Sequence, residues 1–473
     1  MNSAAPPLCV DLDGTLTPID TLHESLLGLA KEAPVALLSL PGWLAQGKAE
    51  FKHQIASRVT LDASTLPYHD ALLAWLRSER ASGRKLVLVT AANRSIAEAV
   101  ANHLQVFDDV IANDGGENLS GERKRLALVQ RFGEKGYDYA GNDSVDLAVW
   151  KSARQAIVVG TPALARRAQQ VAELGPVFAG TQPSLKLWIK AARLYQWVKN
   201  LLIFVPALLA HAITQPTVLL HAVLAFIAFG LCASSVYLIN DLLDLPADRR
   251  HKRKRFRPFA SGALPARSGA LVSAALLITA AIIAALTNIY FCVVLAAYYV
   301  VTWAYSLRLK RAALIDVMTL AGLYTIRIIA GSAAVLIAPS FWLLAFSIFL
   351  FLSLGIVKRY AELEDARQAG KAGGHGRGYG TEDLPLLMNL GTAAGYCAIV
   401  VMALYINSAD SQALYKHAKP LWLICPLMLF WISRVWLLTT RGKMHDDPVI
   451  FALRDRASLL LFVVIGAIVA LAI

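Results

Sequence analysis

SSVYLINDLLDLPADRRHKRKRFRPFASG, residues 234 to 262, begins as the end of a long apolar run and turns within ten residues into three carboxylates and then a dense cationic loop. Asp241, Asp244 and Asp248 stand at i, i+3 and i+7, so on an α-helix they share one face, with Asn240 at its edge. Oxygen ligands on one face suit Mg²⁺. This cation is held by one or two carboxylates and takes its remaining ligands from water and substrate phosphates. The run from Arg249 to Arg257, with Lys252, Arg255 and Arg257 among its cations, supplies phosphate partners immediately downstream. A positive-inside signal explains a charge run beside a membrane helix on its own. It requires no aspartates, however, and Asp at the centre of a bilayer costs about 2.5 to 3.5 kcal/mol. The stretch reads as a metal-diphosphate site at the end of a membrane span.

NDLLDLPAD followed by RFRPFASG resembles the NDxxDxxxD and RPxxSG signature of the UbiA-type intramembrane prenyltransferase superfamily, closest to its decaprenyl-phosphate phosphoribosyltransferases. YQWVKNLLIF (195–204), YSLRLKRAALIDVMTLAGLYTIRIIAG (305–331) and KRYAEL (358–363) agree with it, and the likeness covers about residues 185–473. Two departures stand out. Pro246 interrupts the first motif, which places Asp248 beyond a kink. The DxxxD motif of aromatic prenyltransferases is not matched, because Asp316 is followed four residues later by Leu320.

At 473 residues, 56% hydrophobic content and a mean hydropathy of +0.51, the chain is too apolar for a soluble globular protein and long enough for two domains. The average hides two populations. Residues 1–184 hold 18 Lys+Arg against 20 Asp+Glu, whereas the remainder holds 28 against 13 and carries the whole basic excess. That distribution argues for anionic phosphates and lipid headgroups as partners rather than nucleic acid. Cys9, Cys232, Cys292, Cys397 and Cys425 show no metal-binding spacing and read as packing residues in a reduced setting. No basic segment followed by an apolar one opens the chain, so no cleaved signal is expected.

The N-terminal part is expected to be a soluble, Rossmann-like α/β domain. Pro7 to Val10 is a short apolar strand ending in DLDGTL (11–16), which puts two acids at one edge of a sheet. This resembles the first motif of the haloacid dehalogenase superfamily. The resemblance implies that Asp11 is the phosphoryl-accepting nucleophile, that Asp13 is general acid and base, and that both serve the Mg²⁺ site. Residues 21–66 have helical apolar spacing broken at Pro34 and Pro41 and look like a helical cap. LVLVTAANR ends a strand at Thr90, which matches the phosphoryl-binding hydroxyl of the second motif, and Lys124 in GERKR matches the neutralising Lys of the third. In YAGNDSVDLAVW (139–150), Asp143 or Asn142 is the Mg²⁺ ligand, and Asp143 is favoured because an anionic oxygen binds Mg²⁺ better than an amide.

The expected domains are residues 1–180 for the phosphatase-like part, 181–197 for a linker and interfacial amphipathic helix, and 198–473 for an all-α polytopic membrane domain. Nine apolar spans lie near 198–213, 218–240, 269–287, 290–307, 314–336, 340–357, 389–407, 419–439 and 457–473. The loops at 246–268, 308–311, 358–388 and 441–456 are basic, while those at 214–217, 287–290 and 336–340 have no Lys or Arg. By the positive-inside rule the basic loops and the N-terminal domain face the cytoplasm of a multi-pass plasma-membrane protein.

Asp316 and Arg327 lie eleven residues apart, about three helical turns, and face the same way. Asp316 is read as a metal or substrate ligand, and Arg327 as a phosphate partner or a member of a structural ion pair. Lys199, Lys310, Lys358, Arg359 and Glu362 fall at cytoplasmic span ends, where snorkelling and substrate binding both account for them. The Gly-rich tract 370–380 reads as a loop that closes over a phosphorylated ligand.

The resemblances together imply a bifunctional, Mg²⁺-dependent membrane enzyme. It moves 5-phosphoribose from phosphoribosyl pyrophosphate to a polyprenyl phosphate, and its N-terminal domain removes the 5-phosphate to leave a polyprenyl-phosphate ribose, a possible precursor of an arabinose donor. The alternative is an aromatic prenyltransferase using a prenyl diphosphate, although one diphosphate scarcely needs eight cations between residues 246 and 268. A transporter with a carboxylate relay is the non-enzymatic rival, and it predicts charges near mid-span rather than at one end. Polyprenyl chain length and homo-oligomerisation are left open.

Overall fold

The computed structural model describes residues 5–113, 119–370, 378–444 and 447–473, so residues 371–377 of the Gly-rich tract lie outside the described residues. The chain forms two compact units. One comprises Met1–Ala192 with Tyr237–Ser273, and the other Arg193–Val236 with Ala274–Ile473.

The first unit is built on six parallel strands: β1 (Leu8–Val10), β2 (Leu86–Asn93), β3 (Asp109–Asn113), β4 (Asp138–Gly141), β5 (Gln155–Gly160) and β6 (Glu173–Ala179). Their order is β3-β2-β1-β4-β5-β6. Parallel neighbours need crossovers, and helices such as Asp70–Ala81, Arg94–Leu104 and Glu122–Phe132 supply them. Both faces are therefore covered, and alternate residues feed different cores. Leu8, Val10, Leu86 and Leu88 pack on one side, while Cys9, Val87, Val89 and Tyr139 pack on the other. The chain starts at the centre of the sheet, winds to β3 and returns to β4, which leaves a crevice at the carboxyl ends of β1 and β4.

After β1 come the helices Thr21–Glu32, Leu40–Ala45 and Lys48–Ala56, gathered around Leu29, Ile55 and Val59. The Asp20 side chain caps the first of these by accepting from the backbone N–H of Leu22 and His23 at 2.9 and 3.2 Å.

Among the described residues, seven helices are long and apolar enough to cross a bilayer, and an eighth span is formed if Pro448–Arg454 and Arg456–Ala472, bent by 80°, count as one. The ninth expected span, near 198–213, is not a long helix. Leu194–Phe204 is 3₁₀-helical, Val205–Leu209 continues it for only five residues, and His211 at φ 54° ends the run. The core of the second unit is formed by Ile315–Val335, Phe341–Gln368, Leu384–Ile406, Ile424–Thr440 and Arg456–Ala472, with Val317, Phe351, Trp431 and Trp436 buried among them.

Candidate functional site

Two clusters of ionisable groups stand out in the first unit, and a further group of buried charges lies in the second. The crevice at β1 and β4 holds the first. Asp11 follows β1, and its Oδ1 accepts from the Lys124 ammonium at 2.7 Å. Lys124 also donates to the Tyr139 hydroxyl at 2.9 Å, and that hydroxyl donates to Asp146 Oδ1 at 3.0 Å. Asp13 borders the same cavity and accepts from the backbone N–H of Thr21 at 2.8 Å. The tight turn after the second acid rests on Gly14, at φ 76°, where a Cβ would also stand 2.2 Å from the Asn142 side chain. Thr90 is fully buried at the edge of the same cavity.

The acidic stretch after β4 divides its labour by backbone geometry. Asp143 is exposed, and its side chain caps the 3₁₀ turn Ser144–Asp146, accepting from the backbone N–H of Val145 at 3.3 Å and also from Ser144 Oγ at 2.8 Å. Asp146 is buried and accepts from the backbone N–H of Asn142 and Asp143 at 2.9 and 3.0 Å. Asn142 accepts from the Thr15 hydroxyl at 3.0 Å, so Asn142, Asp143 and Asp146 all border the cavity that contains Asp11. Burial pushes the Asp11 carboxyl up to about 6 even with Lys124 working against it. Burial and the nearby Asp20 charge push Asp13 up to about 7. A carboxyl that keeps its proton near neutrality is equipped for acid catalysis.

The second cluster is the motif of residues 240–257. The helix Pro216–Leu243 stops before Asp244, and a new helix, Leu245–Arg250, starts with Pro246 in its first turn, where a missing N–H costs nothing. The three aspartates therefore do not lie on one continuous helix. Asp241 and Asp248 are both buried and converge on one nitrogen of Arg257, at 3.0 and 2.7 Å. Asp244 instead lies 3.5 Å from Lys31. Asn240 is partly buried, and Lys252 and Arg255 are exposed.

In the second unit, the Asp316 carboxylate is fully buried, paired with Arg359 and bonded to the Tyr305 hydroxyl at 2.8 Å. Arg359 also pairs with Glu362. Arg327 does not join them. It donates to Asn200 Oδ1 at 3.0 Å and sits among the rings of Phe229, Tyr298 and Tyr324 at 5.2 to 5.6 Å. Lys199 and Lys358 converge instead on Asp447, at 2.6 and 3.5 Å, and the Tyr324 hydroxyl joins at 3.0 Å. Lys310 lies in the short 3₁₀ turn Leu309–Arg311. Asp447, Asn200, Tyr305 and Tyr324 escape a reading of the sequence. The only local signal at Asp447 is an acid before Pro448, which reads as an ordinary helix cap.

Among the described residues no group of three or more His, Cys, Asp or Glu is disposed to hold a metal ion. The donor chemistry nevertheless fits Mg²⁺ in its usual form. Two carboxylates, Asp241 and Asp248, present oxygens toward one cationic point, and Mg²⁺ needs no more than one or two from the protein when phosphates supply the rest.

The UbiA prenyltransferase family model matches residues 201–469, more than half the chain, and the haloacid dehalogenase-like hydrolase model matches residues 8–145. The chain belongs to the UbiA prenyltransferase family. A protein of Sinorhizobium fredii, y4nM, described as uncharacterized, is 38% identical over 471 residues, covering 98% of this chain and 90% of that one. The decaprenyl-phosphate phosphoribosyltransferase of Mycolicibacterium smegmatis is 32% identical over 280 residues, covering 58% of this chain and 88% of that one. A solved UbiA homolog from Archaeoglobus fulgidus, bound to GPP and Mg²⁺, aligns at 18% identity over 60% of this chain and 99% of that chain, with a TM-score of 0.47. This UbiA family member is thus a multi-pass membrane enzyme, with a haloacid dehalogenase-like domain at its N-terminus.

Proposed function

We propose that the UbiA domain transfers 5-phosphoribose from phosphoribosyl pyrophosphate to a polyprenyl phosphate, and that the N-terminal domain then removes the 5-phosphate. The observation that carries this reading is the carboxylate–guanidinium cluster Asp241, Arg257 and Asp248, in a stretch that is similar to a decaprenyl-phosphate phosphoribosyltransferase. In the transfer, the bond from the anomeric carbon to the diphosphate breaks, and a bond from that carbon to an oxygen of the lipid phosphate forms. Asp241 and Asp248, with Asp244 of the same motif, would hold Mg²⁺, which would supply Lewis-acid neutralisation of the departing diphosphate. Arg257, drawn off the two carboxylates, is free to take a phosphate oxygen, and Lys252 and Arg255 bring further cations to the same loop.

In the second unit, Lys199, Lys358 and Arg327 offer positive charge to phosphates, while Asp447 orients both lysines. The Asn200 amide nitrogen is buried with no acceptor among the described residues, which suits an incoming anionic oxygen. Asp316, Arg359 and Glu362, with Lys310 nearby in sequence, hold the helix ends that carry these groups.

In the phosphatase step an oxygen of Asp11 attacks the 5-phosphate phosphorus, and the bond to the ribose oxygen breaks. Asp13 protonates that oxygen. Water then hydrolyses the aspartyl phosphate, returning Asp11 and releasing inorganic phosphate. Lys124 neutralises the phosphoryl oxygens, Thr90 donates to one of them, and Asp143 or Asp146 would complete a Mg²⁺ site with Asp11. The cytoplasmic side is the reading for both sites, since the basic loops and the soluble domain are both expected there.

The test is incubation of the purified protein with labelled phosphoribosyl pyrophosphate and decaprenyl phosphate. Pyrophosphate release that requires both substrates supports the reading. Turnover of geranylgeranyl diphosphate with an aromatic acid would transfer support to the aromatic prenyltransferase alternative.

A further inference from the structure

The cavity beside Asp11, roughly 470 Å³ in volume, has one wall that lies outside the α/β fold. Pro265–Ser268, which open the helix Ala266–Thr287 immediately after the RPFASG motif, line it together with Asp11 and Lys124. All of these residues belong to the same compact unit. The chain is held there closely. At Gly262, with φ 73°, a Cβ would stand 2.6 Å from the Pro18 ring, so the motif runs against the loop after DLDGT with no room for a side chain.

The cations of this segment differ in what they already hold. Arg249 is paired with Glu24, Arg250 with Asp62 at 2.8 Å, and Arg257 with Asp241 and Asp248. Arg267 lines the cavity and is exposed, and no hydrogen bond or ion pair engages it among the described residues. His23 lines the same cavity, held by Asp20 at 3.0 Å. The phosphate attacked by Asp11 already has Lys124 to neutralise it, at 2.7 Å from that carboxylate. Lys52 lines the pocket as well and donates to the Ala91 carbonyl at 2.8 Å, so Arg267 is a cation beyond these two and answers to a second anion.

We infer that Arg267, with His23 beside it, binds an inner phosphate, so that this pocket selects substrates carrying a phosphate besides the monoester attacked at Asp11. The inference rests on the proposed function and deepens it, because a lipid-linked phosphoribose carries just those two phosphates. It also makes Arg267 a specificity residue that the transferase segment lends to the phosphatase.

Ribose 1,5-bisphosphate and ribose 5-phosphate isolate the second phosphate without a lipid. Their dissociation constants are to be measured calorimetrically on the full-length protein carrying Asp11→Asn, which blocks turnover. In that background the bisphosphate should bind about tenfold more tightly, as expected of a charge-assisted contact. Adding Arg267→Ala should bring the two constants together, and Arg267→Lys should restore part of the difference. Equal affinities in the Asp11→Asn protein, or a preference that survives Arg267→Ala, would overturn the inference. Because Arg267 has no hydrogen-bond or ion-pair partner among the described residues, the variant is expected to fold. Failure of lipid transfer in the phosphoribosyl pyrophosphate assay would sink the proposed function and leave this binding result standing.

Discussion

Arg249 donates both terminal nitrogens to the carboxylate of Glu24, and each side chain is only 5% exposed. The pair joins the helix that follows the DLDGT turn to the helix Leu245–Arg250, which carries the end of the NDLLDLPAD motif. Removing one partner of a buried pair leaves the other charge uncompensated, at a cost of about 3 to 5 kcal/mol. Glu24→Ala should therefore lower the melting temperature of the detergent-solubilised protein by several degrees. The double variant Glu24→Leu with Arg249→Met should recover much of that loss. A Glu24→Ala protein that melts with the wild type would contradict the pairing.

Asp241 and Asp248 meet at Arg257, and both are assigned to the metal of the transfer reaction. Asp241→Asn and chelation by EDTA should each abolish pyrophosphate release. Excess Mg²⁺ should reverse the second and not the first. Full activity in the Asp241→Asn protein would remove the assignment.

Lys199 and Asp447 are 248 residues apart in sequence and 2.6 Å apart in space. If Asp447 works by holding Lys199, the two form one functional unit. Lys199→Met and Asp447→Asn should then each raise the KM for phosphoribosyl pyrophosphate, and the double variant should be little worse than either. Multiplicative losses in the double variant would show that the residues act separately.

That pair also marks how far the sequence can be read. The carboxylates and cations of residues 240–257 are legible because they are contiguous, and the break at Pro246 follows from the missing N–H of proline. Asp11, Thr90 and Lys124 are legible because Asp11 follows β1, Thr90 lies in the apolar strand β2 and Lys124 sits in the first turn of the helix Glu122–Phe132. Asp447 is not, since a carboxylate before a proline has a sufficient local explanation as a helix cap. Between Asn142 and Asp146 the sequence offers several oxygens within five residues. Only the backbone shows that the side chain of Asp143 is used in capping a turn while Asp146 is buried beside Tyr139. The segment near 198–213 is apolar enough for a span, but its 3₁₀ geometry and the left-handed His211 are invisible to hydropathy. Asp316 and Arg327 have a helical spacing that suggests a common partner, and they take different ones from other segments, Arg359 and Asn200.

Cys9 lies fully buried in β1, and burial pushes its thiol up to about 12. The thiolate is the reactive form, so between pH 7 and 9 the folded protein should leave Cys9 unmodified by iodoacetamide. Labelling should appear only after denaturation, as read by peptide mass spectrometry. Modification in the native protein would show that β1 opens readily.

Two sites on one chain impose an order on the products, and that order is the most direct test of the account. Phosphoribosyl pyrophosphate radiolabelled in its 5-phosphate is mixed with decaprenyl phosphate and enzyme, and label is followed in the lipid and aqueous phases. The expected result is that label enters the lipid first and then leaves it as inorganic phosphate, and that in the Asp11→Asn protein it enters and stays. Label released as inorganic phosphate without ever passing through the lipid, or release that persists in Asp11→Asn, would contradict it.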